Sequence, residues 1–305
     1  MKSFIKATEI WEPNADMTDL SLTGGLYGSE HKFYDYSKRV TFKYNESLPG
    51  RAWAEQHPII LSSIDDSCFK RTEEANKIDI TSAIAMPIFS GEYLMAVIVF
   101  LCSDKEDTIH GAIELWSKNQ DNRNEMELVD GYYGKMESFA FASKNTKIKR
   151  AEGLPGIVWS TSMPLIIKDL GESETFLRAS KAKKDGITTA IAVPTWINED
   201  DGYVMTFLSA HNSPIAHRFE IWIPDETAEA LIFRDGFSDE GIDLSEHYRL
   251  TRLDKYNSIA GQAWRTGRPV IGNKVNGEKE LTLNSFLALP LLQNGFCKSV
   301  IMFYF

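Results

Sequence analysis

The sequence predicts an α+β protein of three tandem units, each an antiparallel β-sheet with helices mainly on one face. Two observations predict it. A block recurs three times: Leu48-Pro49-Gly50-Arg51-Ala52-Trp53 leads to His57-Pro58-Ile59-Ile60 and to Ala83 through Pro87, and Leu154-Pro155-Gly156-Ile157-Val158-Trp159 leads to Met163-Pro164-Leu165-Ile166 and to Ala190 through Pro194. In the third copy Ile259-Ala260-Gly261-Gln262-Ala263-Trp264 leads to Arg268-Pro269-Val270-Ile271 and Ala288-Leu289-Pro290. The second observation is period-2 alternation flanking each block, the signature of strands with one buried face. Repetition inside one chain of 305 residues sets the division into units of about 100 residues, here 1–105, 106–213 and 214–305.

Each unit opens on a strand: Ala7 to Trp11, Ala112 to Trp116 and Arg218 to Trp222. Glu and Trp share one face and apolar residues the other. A polar turn and a second strand ending near Leu26-Tyr27-Gly28, Tyr132-Tyr133-Gly134 or Phe237-Ser238 follow, and Val40, Phe42 and Tyr44 alternate in a third. The Pro-Gly element reads as a turn into a short helix, because proline lacks an amide hydrogen and suits a helix start. That helix ends before Pro58, Pro164 or Pro269, since the residue preceding proline avoids the α region. Its Trp is read as inward. Spacing of Ile64, Cys68, Phe69 and Ala75, and of Phe176, Ala179 and Ala182, predicts an amphipathic helix across the sheet, a lid. Two long strands joined by turns at Ser90-Gly91-Glu92 and Asn198 to Gly202 close units one and two. The third unit is shorter between Pro269 and Pro290, where the lid belongs, and lacks Phe-x-Arg. Linkers, Ser103 to Thr108 and His211 to Ile215, are short.

Composition narrows the function. A net charge of -10 argues against nucleic-acid phosphates and anionic membrane surfaces. Cys68, Cys102 and Cys297 are too scattered for a disulfide framework or zinc site. The longest apolar run, Leu94 to Cys102, is too short to span a bilayer, and no signal core follows Met1. The expectation is a cytoplasmic protein without metal, membrane or nucleic-acid partner.

Leu-Pro-Gly-x-x-Trp, x-Pro-Ile/Leu-Ile, Phe-x-Arg, the Ala-rich strand ending in Pro and the last apolar strand, in this order, resemble the GAF domain as found in bacterial sensor histidine kinases and cyclases. The likeness covers most of units one and two and the larger part of unit three. It implies sensing or regulation by small molecules. GAF domains usually carry helices before the first strand and after the last, covering the back of the sheet. Neither has room here, so the expectation is a bare array, standalone or excised from a longer sensor. A sheet back covers roughly 400 Å², worth on the order of 10 kcal/mol if apolar. The three backs are therefore expected to pack on one another or on a second chain.

Several residues are candidates for chemistry. Arg71 and Arg178 share the lid position and suit a bidentate clasp on an anionic ligand, or else a salt bridge to Glu74 or Asp185. Phe69 and Phe176 beside them are pocket wall or lid core. Asp66-Ser67-Cys68-Phe69 resembles the attachment signature of some bilin-binding GAF domains, but no Cys-His pair accompanies it, so no bilin or other cofactor is expected. Trp53, Trp159 and Trp264 recur even where the lid does not, which points to packing. Glu9, Glu114 and Glu220 lie in separate units and are expected to bond locally on their sheets. His spacing fits no metal site. Methionine sulfoxide reductases of GAF fold need a catalytic cysteine pair, which Cys68 and Cys102 do not make by spacing, and no nucleophile–His–acid set is visible. The expected function is a non-enzymatic small-molecule sensor or regulatory module, with Phe69, Arg71, Phe176 and Arg178 at the ligand and a partner protein or self-association downstream. The alternative is a ligand-free structural or interaction module.

Overall fold

The computed structural model describes residues 4–66, 68–105, 111–196, 202–210, 213–273 and 285–305. Unit one contains strands β1 (Ile5–Pro13), β2 (Asp19–Leu26), β3 (Thr41–Lys43), β4 (Ile59–Leu61), β5 (Ser82–Ser90) and β6 (Tyr93–Cys102). Unit two contains β7 (Gly111–Lys118), β8 (Glu125–Tyr132), β9 (Ile148–Lys149), β10 (Leu165–Ile167), β11 (Ile187–Trp196) and β12 (Gly202–Ala210). Unit three contains β13 (Arg218–Pro224), β14 (Ala230–Ser238), β15 (Arg252–Asp254), β16 (Val270–Asn273), β17 (Ser285–Gln293) and β18 (Phe296–Tyr304). Each set forms one six-stranded sheet, β3-β2-β1-β6-β5-β4 in unit one and the same order in the others, with antiparallel neighbours.

Helices α2 (Ser47–Glu55), α5 (Gly153–Thr161) and α8 (Ile259–Thr266) are the repeated Pro-Gly-Trp elements. Their glycine has a steric cause. A Cβ at Gly50, Gly156 or Gly261 would lie 2.1, 2.2 or 2.0 Å from the carbonyl oxygen of Lys43, Lys149 or Asp254, so only glycine lets the helix seat on the preceding strand. Unit three lacks the proline and starts its helix with Ser258, whose hydroxyl accepts from the Gly261 amide. All three helices stop on a left-handed residue, Gln56, Ser162 or Gly267, just ahead of the x-Pro pair.

Two features differ from the sequence reading. Helices α1 (His31–Ser37), α4 (Glu137–Lys144) and α7 (Leu244–His247) stand between the second and third strands, where the periodicity predicts none. The lid is also less helical than its spacing predicts, reduced to α3 (Thr72–Asn76) and α6 (Ala179–Lys184). Phe69 and Cys68 lie in turns before α3, because Ser63 and Asp66 side chains capture the amides of Asp65 and Cys68 (3.2 and 2.9 Å) and so compete with helix formation. The lid expected to be missing from unit three, residues 198–201 of the turn that ends at Gly202, and parts of both linkers fall outside the described residues.

The backs of the three sheets meet in one shared core. It draws Ile10, Ile84, Met86 and Ile98 from unit one, Ile113, Ile191 and Phe207 from unit two, and Phe219, Leu287 and Phe303 from unit three, and it contains no residue of a helix. Phe100, Phe207 and Phe303 occupy one register position, opposite Thr8, Ile113 and Phe219. Phe207 packs edge-on against both others, centroids 5.5 and 5.9 Å apart. Around this axis β4 meets β8, β10 meets β14 and β16 meets β2. The contact is head-to-tail and closes after three units, a pseudo-threefold ring within one chain. The packing supplies from neighbouring units the burial that outer helices would otherwise give.

Candidate functional site

On the opposite face each unit has its own core, centred on the glutamate of its first strand. In unit one the Glu9 carboxylate is fully buried on β1. Arg71, from the turn leading into α3, donates through Nη1 to Oε1 (2.5 Å) and Nη2 to Oε2 (2.7 Å), a fork-to-fork pair. Trp11 Nε1 donates to Oε2 (2.9 Å), and the Tyr27 hydroxyl to Oε1 (2.7 Å). Arg71 also donates to Ser37 Oγ on α1 (2.8 Å). Arg71 is 2% exposed, and its guanidinium is caged by the rings of Trp11, Phe33, Phe69 and Phe42 at 5.1, 5.2, 5.5 and 5.7 Å.

Unit two repeats the glutamate, arginine, tryptophan, tyrosine and serine of this set, adds Thr206 where unit one has Val99, and has no ring at the place of Phe42. Arg178 pairs with both oxygens of Glu114 and with Ser143 on α4. Trp116, Tyr133 and Thr206 donate to Glu114 at 3.0, 3.1 and 2.9 Å. Rings of Trp116, Phe139 and Phe176 stand at 5.1, 4.9 and 4.9 Å from the guanidinium. Burial alone raises the Glu114 pKa. The charge of Arg178 and the hydrogen bonds from Arg178, Ser143 and Thr206 outweigh it and hold the carboxyl below the ordinary range. Burial first, then the neighbouring carboxylate, pushes the Tyr27 and Tyr133 hydroxyls up, so both remain donors.

Unit three keeps the glutamate and changes its partners. Trp222 Nε1 donates to Glu220 (2.8 Å). The cation is Arg218, two residues earlier on the same strand, its Nε 3.0 Å from Glu220 Oε1. The hydroxyl is that of Tyr304 (3.3 Å), and the Arg218 guanidinium stacks 4.0 Å from its ring centroid. Arg218 and Tyr304 face each other across β13 and β18, where the other units hold Ala7 opposite Leu101 and Ala112 opposite Leu208. A strand arginine thus stands in for the lid arginine, and a buried charge pair is kept in every unit. Leaving any of these carboxylates without its cation would be strongly destabilising.

The structure therefore places Phe69, Arg71, Phe176 and Arg178 together under their lids, around a carboxylate of the protein itself. The salt-bridge partners are Glu9 and Glu114, in place of the predicted Glu74 and Asp185, because the guanidinium turns inward from the lid. Each glutamate takes the indole N–H of its own strand, as its recurrence suggests, but in units one and two its bidentate partner is the lid arginine, which comes from outside the sheet. The tryptophans share one contact position: the residue nine positions earlier, Tyr44, Arg150 or Lys255, lies against Trp53, Trp159 or Trp264. Trp264 is half-buried, short of the inward burial expected. Cys68 is half-buried with its sulfur 3.4 Å from Arg51 Nη1, while Cys102 is fully buried in the shared core on the other side of the sheet. Among the described residues no group of three potential metal ligands occurs, and no helix is long and apolar enough to cross a membrane. Sequence reasoning missed Tyr27, Tyr133, Ser37, Ser143, Arg218 and Tyr304. The available signal was the matched position of both tyrosines and the appearance of Arg218 in the unit without Phe-x-Arg.

No protein-family model and no curated protein matches the chain. Solved structures match about one unit of it. They include a free methionine-R-sulfoxide reductase from Neisseria meningitidis in complex with its substrate (13% identity, TM-score 0.26, covering 32% of this chain and 52% of that one). The GAF domain of a phosphoenolpyruvate-protein phosphotransferase from Coxiella burnetii matches at 16% identity and TM-score 0.28, over 32% of this chain and 56% of that one. The A. aeolicus nlh2 GAF domain, in an inactive state, matches at 20% and 0.25, over 34% and 58%. The matched part thus spans little more than half of each. One sheet order found three times makes the chain three tandem repeats of α+β fold, and their ordered motifs resemble the GAF domain.

Proposed function

We propose that the chain is a non-enzymatic regulatory module that acts by meeting a partner protein, its units 1–105, 106–213 and 214–305 working as one body. One observation supports this most: under each lid the anionic position is held by a carboxylate of the protein, bound bidentately by the arginine that would otherwise receive a ligand. In this reading Phe69, Arg71, Phe176 and Arg178 close the lids. Small-molecule sensing at these four residues is the second reading, favoured by the inward turn of both guanidinium groups.

Glu114→Gln separates the two. The amide keeps the shape but no longer neutralises Arg178, so nitrate, phosphate or acetate should raise the melting temperature of the variant saturably and leave the wild type unmoved. Saturable stabilisation of the wild type by any of these anions, abolished by Arg178→Leu, would favour the sensing reading instead.

A further inference from the structure

The three seams of the ring are alike in backbone and unlike in side chains. Between units three and one, Arg268 donates to Glu12 (2.8 Å). Between units one and two, the His57 ring stacks on Tyr203, centroids 4.9 Å apart. Between units two and three lies an open cavity of about 580 Å³, lined by Ile157, Met163, Leu165, Ile221, Ile223 and Arg234 among others. At three of the lining positions the apolar character belongs to this seam alone. Ile157, two residues before the helix Trp, corresponds to Arg51 and Gln262; Met163, directly before proline, to His57 and Arg268; Ile223, directly after the strand Trp, to Ser117 and Glu12. Three positions that are polar at both other seams are apolar here.

One cation stands at the cavity. A β-bulge opposite Ile221 and Trp222 inserts Arg234 into β14, and it is exposed. Among the described residues no carboxylate pairs with Arg234. The neighbouring Asp235, also in the wall, is already engaged by the Gly236 amide (2.8 Å) and lies 3.5 Å from Lys168 Nζ. The volume falls in the range of small-molecule sites.

We propose that this seam binds a small amphipathic carboxylate, its apolar chain against Ile157, Met163, Ile221 and Ile223 and its head on Arg234. The site shares no residue with the Glu114–Arg178 pair, so its failure would leave the reading of the lids untouched. The occupant bridges two units, so binding stiffens the ring at this seam.

The test titrates octanoate, with octan-1-ol as the uncharged control, into the full chain carrying 13C-methyl methionine. The Met163 methyl resonance should shift saturably, with octanoate binding about tenfold or more tighter than the alcohol, as a charge-assisted head contact requires. Arg234→Gln, a surface change, should remove that difference and leave the alcohol's affinity unchanged. Met163→Arg with Ile223→Glu, which installs the Arg268–Glu12 pair of the neighbouring seam, should abolish both. Absence of saturable binding, or equal affinity for acid and alcohol in the wild type, would overturn the proposal. So would a Met163 resonance that shifts on simple dilution, which would mean a second copy of the chain fills the cavity. If the double variant fails to fold, the Arg234→Gln comparison decides alone.

Discussion

Arg178→Leu removes the cation from a carboxylate that is fully buried and has no water to turn to. Breaking a buried pair by deleting one partner costs about 3–5 kcal/mol, chiefly from the charge left behind. The lost stacking on Trp116, Phe139 and Phe176 belongs to the same perturbation and does not add in full. The pH dependence has a definite sign. In the wild type the Glu114 carboxyl titrates below its ordinary range, so its stabilisation is complete above the ordinary glutamate pKa of about 4.3 and is lost only as pH falls through the depressed value. In the variant, burial without a cation lifts the pKa above ordinary. The deficit is then full at neutral pH and shrinks as pH falls through the raised value. Urea unfolding followed by tryptophan fluorescence at pH 7 and at pH 5 measures both. Adding Glu114→Gln should recover much of the loss and flatten the pH dependence. A deficit under about 1 kcal/mol that is the same at both pH values would refute the reasoning, because a charge in water, and not a buried one, behaves that way.

The remaining predictions concern the ring and the thiols. Gly24→Ala places a methyl 2.5 Å from Ile271 Cγ2 across the seam between units one and three; a melting scan should show about 1–3 kcal/mol of destabilisation, largely relieved by Ile271→Ala. Phe207→Ala empties the ring between Phe100 and Phe303 at the axis and should cost about 3–5 kcal/mol by denaturant titration. Burial raises the Cys102 thiol, and Cys297 is pushed up to about 12; burial and the Asp66 side chain raise Cys68. Thiol titration with an aromatic disulfide at pH 8 should therefore be slow in the native protein, slowest at Cys102 and rapid at all three sites after denaturation.

Much of the fold was legible because it repeats. Proline, glycine and tryptophan at one spacing marked α2, α5 and α8, and alternation around Glu9, Glu114 and Glu220 marked the central strands. The burial of sheet backs against each other followed from the lack of space for covering helices between units. The helices α1, α4 and α7 were not legible: with seven, eight and four residues they are too short to show a helical period, and each is held by one or two inward residues such as Phe33 or Phe139. The candidate site was half legible. Arg71 and Glu9 were each singled out, but 62 positions separate them, and spacing along the chain says nothing about a contact made through the fold. Arg218 carried the missing clue, since it enters beside Glu220 in the unit that lacks the lid arginine. The seam cavity was hidden for a different reason. Ile157, Met163 and Ile223 are ordinary apolar residues until the ring aligns them with the polar residues of the other seams.

The central claim is that three sheets share one core, so no unit melts by itself. Differential scanning calorimetry of the intact chain tests it most directly. A single transition with calorimetric and van't Hoff enthalpies in a ratio near about one is predicted. Separate transitions, or a ratio approaching about three, would mean three bodies that touch without depending on one another, and would contradict the account.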